Sequence, residues 1–229
     1  MLAALNRYFS RAEKMLWTAS VALIVSSFLA FDGENFLALT ASLIGVTSLL
    51  FNAKGNPVGQ VIGIVFCLIY GFISWQYVYY GEMITYLGMT LPMSVVTLVI
   101  WLRNPFKGNR MCVQVGRLRR SDLFWLVFLT IVITAVFGYA LAVLHTANLA
   151  PSILSISTST IAVYLSWRRS PWFAVGYALN DLVLIVLWSL AAAQDPGAVS
   201  VLMCFVAFFA NDLYGFRNWR RMLCQQQTA

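Results

Sequence analysis

The sequence predicts an all-α, polytopic membrane protein with eight transmembrane helices. Three observations carry that expectation. Of the 229 residues, 61% are hydrophobic and 10% charged, against about a quarter charged in soluble domains. Eight apolar stretches succeed one another, at roughly 15–31, 35–52, 57–75, 82–102, 122–144, 149–166, 171–192 and 197–216. Each approaches the ~20 residues that cross the hydrocarbon core. Finally, all 15 lysines and arginines fall on one side of this eight-span reading.

Taken in order, the first span is led by Arg7, Arg11 and Lys14, and Lys54 separates the second from the third. Arg103, Lys107, Arg110, Arg117, Arg119 and Arg120 lie between the fourth and fifth. Arg168 and Arg169 precede the seventh, and Arg217, Arg220 and Arg221 close the eighth. The opposite connections carry only Asp32, Glu34, Glu82, His145 and Asp195. Cytoplasmic loops retain Lys and Arg, so both termini are expected in the cytoplasm. The first span lacks a small-residue cleavage site before Asp32 and reads as a retained helix, not a signal peptide.

The net charge of +7 does not point to nucleic acid, because the basic residues cap every cytoplasmic loop instead of lining one groove. The cluster from Arg110 to Arg120 suits anionic lipid. Cys67 and Cys204 lie within spans, while Cys112 and Cys224 fall on the basic side, where disulfides do not persist. No zinc-ligand spacing, phosphate loop or catalytic triad is present, and no cofactor, metal or enzymatic activity is expected.

Residues 103–121 form the one long polar connection and divide the chain where a repeat boundary would fall. In the first half, a small-residue span leads into a span headed by Pro57, then an outer loop with Gly81, then a span closing on Trp101. In the second, SILSISTSTIAVYL leads into a span headed by Pro171, an outer loop with Gly197, and a span closing on Trp219. One span lies between these triplets, so both cross in the same direction as a parallel repeat. The expected organisation is an extra N-terminal helix (1–33), a first three-helix bundle (34–104), a basic loop and linker helix (105–147), a second bundle (148–221) and a C-terminal tail (222–229). Two facing triplets leave a pathway between them, which is a transporter layout.

Polar residues inside spans are costly and point to function. The candidates are Gln60, Tyr70, Tyr86, Tyr177, Asn180, Asp181, Asn211, Asp212 and Tyr214. Tyr177 with Asn180, and Asn211 with Tyr214, are three residues apart and share a helix face. Each such pair presents an amide and a phenol together, suited to a carboxamide or a sugar hydroxyl. Trp75 and Trp188 suit stacking on a flat ring, or interfacial anchoring. Trp101, Trp167 and Trp219 read as anchors. The structural alternative for each amide is interhelical glue, worth about 0.6–2 kcal/mol. Asp181 and Asp212 suit a proton relay, a helix-to-helix hydrogen bond or a place facing a wet cavity. Pro92 suggests a kink, and Gly59, Gly63, Gly71 and Gly88 close helix contacts.

The stretches GNPVGQVIGIVFCLIYGFISW (55–75), YYGEMITYLGMTLPM (79–93), WLRNPFKGN (101–109), NDLVLIVLW (180–188) and NDLYGFRNW (211–219) resemble the PnuC family of vitamin-precursor transporters. The resemblance implies two triple-helix bundles joined by a linker helix, as in the SWEET sugar transporters. It implies facilitated uptake of nicotinamide riboside across a bacterial inner membrane, trapping of the substrate by a cytoplasmic kinase, and a homotrimer. The family's Asn-x-x-Tyr motif, said to line the substrate site, is present as Asn211 and Tyr214. Its Trp-x-x-Trp motif is not, since Trp172 is followed three residues later by Val175. A relative of the same fold carrying thiamine or another vitamin, and a receptor or scaffold that transports nothing, are the competing readings.

Overall fold

The computed structural model describes residues 8–146 and 148–228; Arg7, Ala147 at the linker boundary and Ala229 lie outside them. Among the described residues, eight helices are long and apolar enough to cross a membrane. They are α1 (Arg11–Phe31), α2 (Phe36–Ala53), α3 (Val58–Gln76), α4 (Tyr80–Arg103), α5 (Arg120–Val143), α6 (Leu149–Trp167), α7 (Phe173–Ala192) and α8 (Val199–Thr228). An even number of spans puts both described ends on one face, called here the terminal face.

Local chemistry explains the boundaries. Ser10 and Glu13 form a reciprocal capping box at the start of α1, which satisfies two orphan amides. Pro92 lacks an amide proton and crowds the carbonyl four residues back. The chain answers with a π-helical turn over Thr85–Thr90, in which the Leu91 amide donates to the Tyr86 carbonyl. The expected kink is therefore a widened turn, placed just before the proline. Gly176 lets α7 approach α6, since a Cβ there would sit 2.8 Å from the Ala162 backbone. Of the other glycines, Gly71 meets Leu87 and Gly59 meets Asn52, whereas Gly63 and Gly88 have no tight neighbour.

The two halves share turn chemistry. The Asn56 amide donates to the Phe51 carbonyl (3.1 Å), and the Ser170 amide to the Leu165 carbonyl (3.0 Å). Gly55 and Arg169 hold the same left-handed position in these turns, with φ of 64° and 55°. Trp101 donates from Nε1 to the Ser166 carbonyl (3.3 Å), and Trp219 to the Asn52 carbonyl (2.8 Å). Each tryptophan thus lies on one half's last helix, toward the terminal face, and bonds the end of the other half's first helix. Both are fully buried, with ring centroids 5.3 Å apart. They are struts between the halves, not interfacial anchors.

Three further features depart from the sequence reading. The basic loop contains a short hairpin, Pro105–Phe106 against Asn109–Val113. Its turn residues Lys107 and Gly108 both have positive φ, as a twisted two-residue hairpin requires. The segment read as a C-terminal tail continues α8 to Thr228. From there Gln226 accepts from the Val115 amide (2.8 Å) and donates to the Val113 carbonyl (3.1 Å), pinning the loop over the terminal face. Glu82, read as a loop residue, lies in the first turn of α4 and is fully buried.

Candidate functional site

Between the halves lies a cavity lined by α2, α3, α4, α7 and α8. Its polar lining is Ser48, Asn52, Gln60, Tyr86, Thr90, Ser94, Tyr177, Asn180, Asp181 and Asp212. Phe66, Cys67, Phe173 and Phe208 supply apolar walls. No Lys, Arg or His is among the residues that line it. The cavity volume is about 70 Å³, room for a handful of waters and well short of the ~300 Å³ at which ligand pockets begin. The walls must part to admit a nucleoside-sized solute.

Neighbouring helices hold the amides in place. Ser155, Thr158 and Ser159 of α6 donate to Asn180 Oδ1 at 3.3, 2.9 and 2.9 Å. Gln60 Nε2 donates to Asn52 Oδ1 at 3.0 Å, joining α3 to α2. Asp181 and Asp212 are both buried against the same space, and Asp181 Oδ2 has no hydrogen-bond partner. The two acidic side chains interact with one another and leave carboxyl oxygens that can accept a hydrogen bond from a solute or share a proton.

On the side away from the terminal face, an aromatic seal closes the cavity. Tyr70 meets Phe66, Tyr86 and Phe205 at centroid distances of 5.4, 4.4 and 5.4 Å. Trp188 donates from Nε1 to Tyr70 Oη at 2.7 Å and packs edge-on against Tyr77 and Tyr79. Burial, then the nearby Asp195 and Asp32 carboxylates, pushes the Tyr77 phenol up to about 12, so it stays a neutral donor at the rim. Ser200 completes that rim by donating to Asp32 (2.9 Å). Toward the terminal face, Phe173 packs on Trp219 at 4.8 Å. Phe173 and Trp219 are both buried, so aromatic packing stands on each side of the cavity.

Of the residues singled out from sequence, Gln60, Tyr86, Tyr177, Asn180 and Asp181 line the cavity. Tyr70 and Trp188 sit in the seal above it, and Trp75 is 54% exposed on the outer surface of α3. Asn211 and Tyr214 turn away from the cavity toward α1. Asn211 Nδ2 donates to Ser20 Oγ (2.9 Å), and Tyr214 Oη donates to Glu13 Oε1 (3.1 Å). Lys54 also pairs with Glu13 at 3.2 Å. The Asn-x-x-Tyr motif thus docks the extra helix here, and the residue beside Asn211, Asp212, is the one that enters the cavity. Ser48, Asn52, Thr90 and Ser94 were missed. Their signal is polar residues four apart, Ser48 with Asn52 and Thr90 with Ser94, which places each pair on one helix face.

A protein-family model described as nicotinamide mononucleotide transporter matches residues 35–221. A nicotinamide riboside transporter PnuC of Neisseria mucosa is 22% identical over 201 residues, covering 84% of this chain and 75% of the relative. One of Haemophilus influenzae is 23% identical over 194 residues, covering 83% and 81%. A solved structure, described as the vitamin B3 transporter PnuC, superposes with a TM-score of 0.82 at 20% identity, covering 95% of this chain and 94% of that one. That likeness is one of fold.

Proposed function

The chain belongs to the nicotinamide mononucleotide transporter family, and we propose that its solute is the dephosphorylated nucleoside, nicotinamide riboside. The observation that supports this reading is the cavity lining: two acidic side chains, three amides, two phenols and no basic group. A riboside carries one positive charge on its ring, which aromatic faces and carboxylates attract. A mononucleotide adds a phosphate, which needs Arg, Lys or amide-lined helix ends. Asn180, Gln60 and Asn52 are suited to the carboxamide and ribose hydroxyls, and Tyr86 and Tyr177 to the ring.

Transport proceeds by alternating access. The halves that share the Trp101 and Trp219 struts rock about the cavity, and the Tyr70–Trp188 seal opens on one side while Phe173 and the Gln60–Asn52 pair open on the other. The basic terminal face lies in the cytoplasm of a bacterium, within the inner membrane. The protein works as a homotrimer, and a cytoplasmic kinase traps the imported nucleoside.

Calorimetry on the purified protein tests the reading, with nicotinamide riboside, nicotinamide mononucleotide and thiamine in parallel, followed by flux into proteoliposomes. Riboside binding at least tenfold tighter than either competitor, with saturable riboside flux, is the expected result. Preference for the mononucleotide would refute the electrostatic argument. Selective thiamine binding would keep the transport class and replace the solute.

A further inference from the structure

Outside the cavity, and among the described residues, Glu82 is a buried acid that the transport reading does not use. It is fully buried, and neither carboxyl oxygen makes a hydrogen bond of standard geometry, the Ser155 hydroxyl being the polar group that faces it. Two other buried hydroxyls make no hydrogen bond of standard geometry: Thr85 Oγ1, one turn along α4, and Ser74 Oγ, whose neighbour is the Tyr70 hydroxyl of α3. The groups facing Glu82 are Tyr70 from α3, Tyr79 and Tyr86 flanking it, and the Ser155 hydroxyl of α6. The contacts from α5 and α6 at the adjacent Gly81 are Leu141 and Ser152, neither of which titrates. Among the described residues, the group that acts on the Glu82 carboxyl is the Ser155 hydroxyl, and no Lys, Arg or His does so. Native proteins pair or neutralise a buried charge, and buried oxygens without partners call for a ligand.

We propose that Glu82, with Thr85, Ser74 and Ser155, forms a site for one monovalent cation, a proton or a sodium ion, whose occupancy governs opening of the aromatic seal. Its position supplies the coupling. Glu82 lies three residues before the π-helical turn, an irregularity frequent at functional sites. Its neighbours Tyr70 and Tyr86 form the centre of the seal, 4.4 Å apart. Ser155 connects it to the cavity by donating to Asn180. Once the cation leaves, the bare carboxylate reaches water only if the first turn of α4 separates from α6. That separation opens the face opposite the termini. Occupancy therefore holds the closed arrangement, and vacancy favours the open one.

The test compares the parent with Glu82→Gln in proteoliposomes, measuring exchange of labelled nicotinamide riboside from pH 5.5 to 8.5, in sodium or in choline. Riboside affinity is measured by calorimetry on the same preparations. The expected result is a parent exchange rate that changes at least threefold with pH, or with sodium, and a variant that is flat to both. Riboside affinity of the variant should stay within about twofold of the parent, since Glu82 is outside the cavity. Dependence on pH identifies the proton, and dependence on sodium alone identifies the metal ion. A parent insensitive to both, or a variant with the parent's profile, overturns the proposal. The flux readout rests on the riboside reading, so a second measurement stands apart from it. Carbodiimide labelling of Glu82 in the parent, read by peptide mass spectrometry, should fall with rising pH or added sodium. Absence of riboside binding with cation-sensitive labelling would sink the substrate and keep the site; cation-insensitive labelling, or none, would sink the site.

Discussion

Replacing Trp188 with Phe should loosen the seal in a measurable way. Trp188 is fully buried and its Nε1 donates to Tyr70 Oη at 2.7 Å. Phe keeps an aromatic ring against Tyr77 and Tyr79 but removes the donor and part of the ring volume. The lost hydrogen bond is worth about 1 kcal/mol, and the space left behind a further 1–2 kcal/mol or so. If the open state makes neither contact, its population rises by about 2–3 kcal/mol, roughly 30- to 150-fold at 1.4 kcal/mol per tenfold. The native cysteines provide the assay. Cys67 lines the cavity beneath the seal, while Cys224 is exposed on the terminal face. In vesicles with the terminal face inside, an impermeant maleimide should label Cys67 at least tenfold faster in Trp188→Phe than in the parent. Cys224 should stay protected in both. An unchanged Cys67 rate would show that the Tyr70–Trp188 contact is not the barrier.

Other expectations follow from the same geometry. Asn211→Ala should lower the midpoint of thermal unfolding by about 2–6 °C, for a loss of ~1–1.5 kcal/mol, with riboside affinity within about twofold of the parent. Asn180→Ala should instead weaken riboside binding at least tenfold by calorimetry; equal effects of the two would undo the site assignment. Trp101→Phe and Trp219→Phe each delete one buried indole bond between the halves, so their unfolding midpoints should drop by similar amounts, corresponding to about 2 kcal/mol each. A large effect from one alone would mean that the struts are not equivalent. Glu13→Gln removes the charge that Lys54 and Tyr214 engage, with Glu13 2% and Lys54 21% exposed. It should destabilise by about 2 kcal/mol, seen as earlier proteolytic release of α1, and a release profile like the parent's would count against the clamp.

Residue chemistry along the chain was enough to foresee eight spans, since apolar length and the placement of basic residues depend on the bilayer alone. The starts of the spans headed by Pro57 and Pro171 were legible for a similar reason, being set by local backbone preference. The choice of helix face was not legible. Lipid and protein interior are equally apolar, so a span that is apolar all round carries little sign of which side meets the core. Asn211 and Asp212 are neighbours in sequence but about 100° apart around the helix. Only the packing of α1 against α8 decides that the amide meets Ser20 and the acid meets the cavity. Trp101 and Trp219 illustrate the same limit: a tryptophan at a span end is an anchor or a strut according to what the other half brings beside it. The sequence by itself determined the spans, their alternation and the internal correspondence of the halves, because each is set by neighbours in the chain or by the membrane. Tertiary structure alone decided the cavity wall, the seal and the burial of Glu82, because these are contacts between helices far apart in sequence.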